Sequence, residues 1–155
     1  ALNFSYSLSQ SGKKVLLVDF DPQANLTMCF GVDKPDELET TIYHLMSAAI
    51  EEEELPDKSE YLISNSGIDL IPCSIELSAI EVNLVNTMSR ENILCSILED
   101  LRKDYDYIIT DCAPSLGMLT INALTACDSV LITALCDTFC YAHLYSRMSY
   151  FLTTS

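Results

Sequence analysis

One stretch constrains this chain more than any other: Val15-Leu16-Leu17-Val18-Asp19-Phe20-Asp21-Pro22-Gln23-Ala24-Asn25. A continuous apolar run of this length suits a strand buried on both faces, and such strands belong to parallel sheets covered by helices. It ends in two aspartates one residue apart, and Pro22 then turns the chain. Open α/β sheets build their ligand sites at this edge, beyond the carboxyl ends of the strands. A second run, Tyr105-Asp106-Tyr107-Ile108-Ile109-Thr110-Asp111-Cys112-Ala113-Pro114-Ser115, ends in the same manner. Either segment alone is also compatible with an ordinary strand end and turn. Two strands aiming acids at one edge point to a magnesium-nucleotide site.

The rest of the pattern alternates helix with strand. Residues 1–11 are expected to be helical, with Phe4 and Leu8 on one face and Gly12 as the C-cap. Helices are expected over 41–52, 76–87 and from Ser89 through the stripe Leu94, Ile97, Leu98 and Leu101. Arg102-Lys103 at the end of that last helix suits its dipole. Strands are expected at 15–20, 68–71, 105–111 and 129–133, a helix at 119–126, and an amphipathic helix over 138–151. Strands joined by crossover helices predict an α/β fold with a doubly wound, mostly parallel sheet. At 155 residues the chain suits one domain with a real core.

Charge excludes one class of partner. The formal net charge is -15, with eight basic residues, of which only Arg147 lies beyond Lys103. Phosphate contacts need clustered Lys and Arg, so this acidic chain is not expected to bind nucleic acid through its own field. Ten acids between Asp33 and Glu60, including Glu51-Glu52-Glu53-Glu54, form a solvated surface. No apolar run is long enough to cross a bilayer, and no membrane partner is expected. The seven cysteines have apolar neighbours and no zinc-type spacing, so reduced core thiols are expected. His44 and His143 are expected to be solvated or helix-face residues, and Phe139, Tyr141, Tyr145 and Phe151 core residues or the exposed remnant of a truncated core.

Together the quoted segments resemble the ParA/Soj branch of the deviant-Walker-A P-loop ATPases, the group that also contains MinD. The resemblance rests on Asp19-Phe20-Asp21-Pro22-Gln23-Ala24-Asn25, Gly67-Ile68-Asp69-Leu70-Ile71-Pro72, Ile75-Glu76-Leu77, the run from Tyr105 to Asp111, Ala113-Pro114-Ser115-Leu116-Gly117 and Leu119-Thr120-Ile121-Asn122-Ala123-Leu124. It covers residues 1 to about 135, and the Pro22-Gln23 pair favours the partitioning branch over MinD-type members. It implies that Asp21 orients or activates the hydrolytic water. Asp19 and Asp111 are implied to act on magnesium, Asp111 through water. Gln23, Asn25 and Pro114 are implied to belong to the nucleotide-dependent switch loops. The implied cofactors are ATP and Mg2+, and the implied partners are a second copy in a sandwich dimer and a ParB-like protein. Full-length relatives are also expected to bind nonspecific DNA. The implied location is cytoplasmic, nucleoid-associated in full-length relatives.

The sequence departs from the family at three places. No G-x-x-x-x-G-K-[ST] segment occurs, so the phosphate loop and its lysines are not among these residues. The strand feeding that loop is missing as well. The DNA-contacting and adenine-reading parts would lie beyond residue 155, and the tail carries Thr133 and Ala142-His143 where the family has other residues. The 155-residue chain is therefore expected to be a partial member of the family, with negligible ATPase activity alone, weak nucleotide affinity and marginal stability. The rival expectation is a short, non-hydrolysing relative that pairs with a full-length member. A continuous reading frame upstream of Ala1, encoding a lysine-containing Gly-rich loop, would favour the enzyme.

Overall fold

The computed structural model describes residues 1–85, 87–113, 115–133 and 149–154, the last six and residue 133 by their backbone. In chain order the helices are α1 (Leu2–Gln10), α2 (Asn25–Cys29), α3 (Ile42–Ile50), α4 (Lys58–Tyr61), α5 (Leu77–Leu84), α6 (Ile93–Glu99) and α7 (Met118–Ala126). The strands are β1 (Val15–Phe20), β2 (Ile63–Asn65), β3 (Ile68–Ile71), β4 (Tyr107–Cys112), β5 (Ser129–Thr133) and β6 (Ser149–Thr154). Single 3-10 turns cover Pro35–Glu37 and Arg90–Asn92.

The sheet runs β2-β3-β1-β4-β6-β5. β1 lies at its centre, parallel to β3 and to β4, and all six of its residues are buried. That is the environment the apolar run at 15–18 demands. β2 pairs antiparallel with β3, and β6 pairs antiparallel with both β4 and β5. β4 and β5 therefore point the same way with β6 between them, so the sheet is mostly parallel, as expected.

One side of the sheet carries the larger core. Leu16, Val18 and Phe20 of β1 pack there with Ile42, Leu45 and Met46 of α3, Leu77, Ile80 and Leu84 of α5, and Leu94, Ile97 and Leu98 of α6. Val15 and Leu17 point to the other side, against Leu26, Phe30, Ile68, Leu70 and Ile109, with Leu2 and Leu8 of α1 packed against them. The period of two along β1 sorts its side chains between the two layers.

The expected helix over 138–151 is corrected at its end: residues 149–154 form β6. A strand here satisfies backbone groups of β4 and β5 at once, a long-range pairing that local periodicity does not report. The rest of that stretch, with Cys140, His143 and the aromatic residues Phe139, Tyr141 and Tyr145, lies outside the described residues, as does Cys136. The helices expected at 41–52 and 76–87 are shorter at both ends. The five cysteines among the described residues carry no disulfide. His44 accepts the Thr41 amide at 3.2 Å through Nδ1 and so helps cap α3.

One buried amide joins two helices. Asn122 of α7 is fully buried; its Oδ1 accepts the Leu94 amide at 3.1 Å, and its Nδ2 donates to the carbonyls of Arg90 and Met118 at 2.8 and 3.0 Å. It caps the start of α6 from outside that helix. Asn122→Leu removes all three bonds and leaves the Leu94 amide buried without its acceptor. A loss of about 2–4 kcal/mol is expected from such orphaned groups, measured as a lower urea midpoint at unchanged m-value.

Candidate active site

β1 and β4 run side by side in a register that sets Asp19 opposite Asp111. The two acids therefore stand level, at the carboxyl ends of adjacent parallel strands. Asp21 lies two residues beyond Asp19, where the strand has ended and Pro22 begins the turn. The structure thus gathers at one edge the three acids singled out in the sequence.

Their surroundings differ. Asp19 is fully buried, and three donors reach its carboxylate. The Thr27 amide and hydroxyl donate to Oδ2 at 2.8 and 2.6 Å, and the Asp21 amide donates to Oδ1 at 3.3 Å. Burial nevertheless holds the Asp19 carboxyl above the ordinary carboxylate range; the Thr27 bonds pull the other way. Asp111 is pushed up to about 6, first by burial and then by the charges of Asp19 and Asp21. Asp21 is only partly buried, and its Oδ1 accepts the Gln23 amide at 2.9 Å. That bond shapes the turn as an Asx motif.

The turn carries strain. Ala24 adopts a left-handed conformation at φ 51 and ψ 30 and serves as the N-cap of α2. For a residue with a Cβ this costs about 1–2 kcal/mol, and such strain is concentrated at functional loops. Gln23 and Asn25 are exposed on this loop, Asn25 as the first residue of α2. Both follow Asp19 and Asp21 closely in the chain, and their side chains are exposed. Pro114 lies outside the described residues, while its neighbours Ala113 and Ser115 line the same edge.

A cleft of about 200 Å³ lies beside this edge toward α5 and α7, walled by Phe20, Pro22, Ser78, Glu81, Ala113 and Thr120 among others; none of the three acids lines it. The hydroxyls of Ser115 and Thr120 lie 3.0 Å apart on its α7 side. Ser78, Glu81, Thr120 and Thr27 are polar residues of this edge that the sequence reading did not single out. Ser78, Glu81 and Thr120 lie on helices whose apolar positions alone attract notice, and Thr27 lies on α2, which is too short to show a period. Asp69, within the resembling segment 67–72, is not part of the site. It sits near the start of β3, accepting the Tyr105 hydroxyl at 2.7 Å and a bond from the Ser64 hydroxyl.

The donor set fits magnesium. Asp19 and Asp111 stand level on adjacent strands, and the Asp19 charge helps to raise the Asp111 carboxyl. A divalent cation relieves that repulsion. Magnesium is typically held by one or two carboxylates, with waters and phosphates completing its shell. Among the described residues, no group of three or more His, Cys, Asp or Glu is gathered as a metal cage. No helix among the described residues is long and apolar enough to cross a membrane.

Comparison with known proteins agrees with this geometry. A family model described as AAA domain matches residues 1–151. The sporulation initiation inhibitor protein Soj of Bacillus subtilis is 43% identical over 137 residues, which are 88% of this chain and 52% of Soj. The chromosome partitioning protein ParA of Myxococcus xanthus is 42% identical over 139 residues, 88% of this chain and 47% of that protein. Cobyrinic acid a,c-diamide synthase of Mycobacterium smegmatis, solved with a bound ATP analog and magnesium, superposes with a TM-score of 0.72 at 36% identity. That match covers 81% of this chain and 49% of the synthase. The chain spans about half the length of the relatives it matches.

Proposed function

Because the chain belongs to the AAA-domain family, in its ParA/Soj-type, deviant-Walker-A P-loop branch, we propose that it is the acid-bearing part of a partitioning ATPase. The activity is magnesium-dependent ATP hydrolysis coupled to the segregation of a chromosome, a plasmid or a similar cargo. The observation that carries this reading is the register of β1 and β4, which sets Asp19 level with Asp111 and leaves Asp21 just beyond.

Asp19 and Asp111 would hold Mg2+, Asp111 through water. When bound, the metal neutralises charge developing on the phosphates. Asp21, more accessible than Asp19, would orient the attacking water and accept its proton. Its Asx turn with Gln23 makes the turn geometry depend on that carboxylate. Gln23, Asn25 and Pro114 form loops that respond to the nucleotide. In this reading the protein works as a cytoplasmic homodimer with a ParB-like partner.

The test is phosphate release by the protein expressed from its gene, with and without Mg2+. Magnesium-dependent hydrolysis of ATP is expected. Absence of both hydrolysis and magnesium-ATP binding in the complete gene product would sink the proposal. The coding DNA upstream of Ala1 separates hydrolysis from a non-hydrolysing pairing role, since only the enzyme requires a lysine-containing Gly-rich loop in the same frame.

A further inference from the structure

Thr27 does more than cap a carboxylate. Its hydroxyl has one proton to donate and lone pairs to accept with. The proton goes to Asp19 Oδ2 at 2.6 Å, and the oxygen accepts the backbone amide of Cys73 at 2.9 Å. The Thr27 amide adds a second bond to the same Oδ2 at 2.8 Å. Thr27, Asp19 and Cys73 are all buried. One hydroxyl therefore joins the end of β1 and the nearby helix α2 to a segment 46 residues on, the exit of β3 at Cys73. That exit is itself tied to α3, because the Ile42 amide donates to the Pro72 carbonyl at 2.9 Å.

The consequence concerns which oxygen of Asp19 is left for other work. Oδ2 is taken twice by Thr27. Oδ1 has a single long bond, from the Asp21 amide at 3.3 Å, and so lies toward the acid turn. The β-branched side chain of Thr27 restricts its χ1 angle and fixes where its hydroxyl sits. We propose that Thr27 is the positioning residue of the acid pair, clasping Asp19 between α2 and the β3 exit so that Oδ1 is presented to the magnesium site; this rests on the magnesium reading above. Rearrangement at residues 72–74 would reach Asp19 through this hydroxyl, because the Cys73 amide and the Asp19 carboxylate share it.

The test compares the 155-residue chain with Thr27→Val, which keeps shape and loses the hydroxyl, and Thr27→Ser, which keeps the hydroxyl. The Asp21 amide reports the orientation of Asp19 from the far side of the carboxylate. Its hydrogen exchange, followed by NMR, is expected to quicken roughly fivefold or more in Thr27→Val, as for loss of one hydrogen bond. Thr27→Ser should return it to the wild-type rate. In parallel, Mn2+ alone is titrated by paramagnetic relaxation. Its affinity should weaken about tenfold in Thr27→Val, the loss expected when the residue supporting a metal ligand is removed, and recover in Thr27→Ser. Wild-type Asp21 exchange and Mn2+ affinity in Thr27→Val, with only the Cys73 amide released, would overturn the proposal. A wild-type chain that binds no Mn2+ overturns the magnesium reading instead, and the Asp21 amide comparison then decides the role of Thr27.

Discussion

In an Asp21→Ala variant of the complete gene product, magnesium-dependent phosphate release is expected to fall by about 100-fold or more. A positioned base or water-orienting group contributes about 10²–10⁴ in rate, and Asp21 is the acid of this edge with the freedom to act so. Asp19 is sealed by Thr27 and the strand, whereas Asp21 stands where the strand has ended and is only partly buried. The variant loses one hydrogen bond, from the Gln23 amide. Stability should therefore change by no more than about 1 kcal/mol, and magnesium-nucleotide affinity should stay within a few-fold. A steady-state phosphate assay beside a nucleotide titration separates the two. Wild-type turnover in Asp21→Ala would move the water-directing role elsewhere.

The second large effect has the opposite sign for stability. Asp111→Asn is expected to make the 155-residue chain more stable at pH 7.5, and to remove its response to magnesium. The Asp111 carboxyl is pushed up from its ordinary 3.8 to about 6 by burial and by neighbouring acids. The folded chain therefore holds a proton between those values that the unfolded chain has lost. Stability must fall as pH rises from about 4 to 6, and above 6 the folded state bears the whole cost of the ionised group. Two units correspond to about 3 kcal/mol. Solvent at the accessible side of the carboxyl reduces this to about 1–2 kcal/mol.

Asparagine removes that charge without changing the shape. A gain of about 3–6 °C in Tm at pH 7.5 is expected for a domain of this size, shrinking toward zero at pH 4. Magnesium should raise the Tm of the wild-type chain and leave Asp111→Asn unmoved. Melting curves over pH 4–8, with and without MgCl2, decide this. A variant less stable than wild type at pH 7.5 would show that Asp111 makes bonds worth more than its burial costs. Stability surrendered for a site of this kind is a familiar trade.

The acids were legible because their carriers are extreme. Val15-Leu16-Leu17-Val18 has no polar interruption, so Asp19 and Asp21 stand out against it, and Asp111 follows a run of the same kind. The stripe Leu94, Ile97, Leu98 and Leu101 was legible for the same reason, and all four residues are buried. Short elements left no such trace. α2 spans five residues and starts from a left-handed alanine, and β2 spans three. Neither length completes a period that could be told from a turn. β6 took its identity from β4 and β5, which lie far from it in the chain.

The sequence by itself determined which residues are acids at strand ends, that those strands are buried on both faces, and which family they resemble. These follow from local composition, since burial demands apolar side chains and an acid at a strand end is visible one residue at a time. Only the tertiary structure decided that Asp19 and Asp111 stand level, because register between strands some ninety residues apart is set by packing rather than by spacing. It alone placed Thr27 and the Cys73 amide around Asp19. A buried carboxylate must find donors wherever the fold brings them, and no local pattern in Val15–Asn25 names the ones it found.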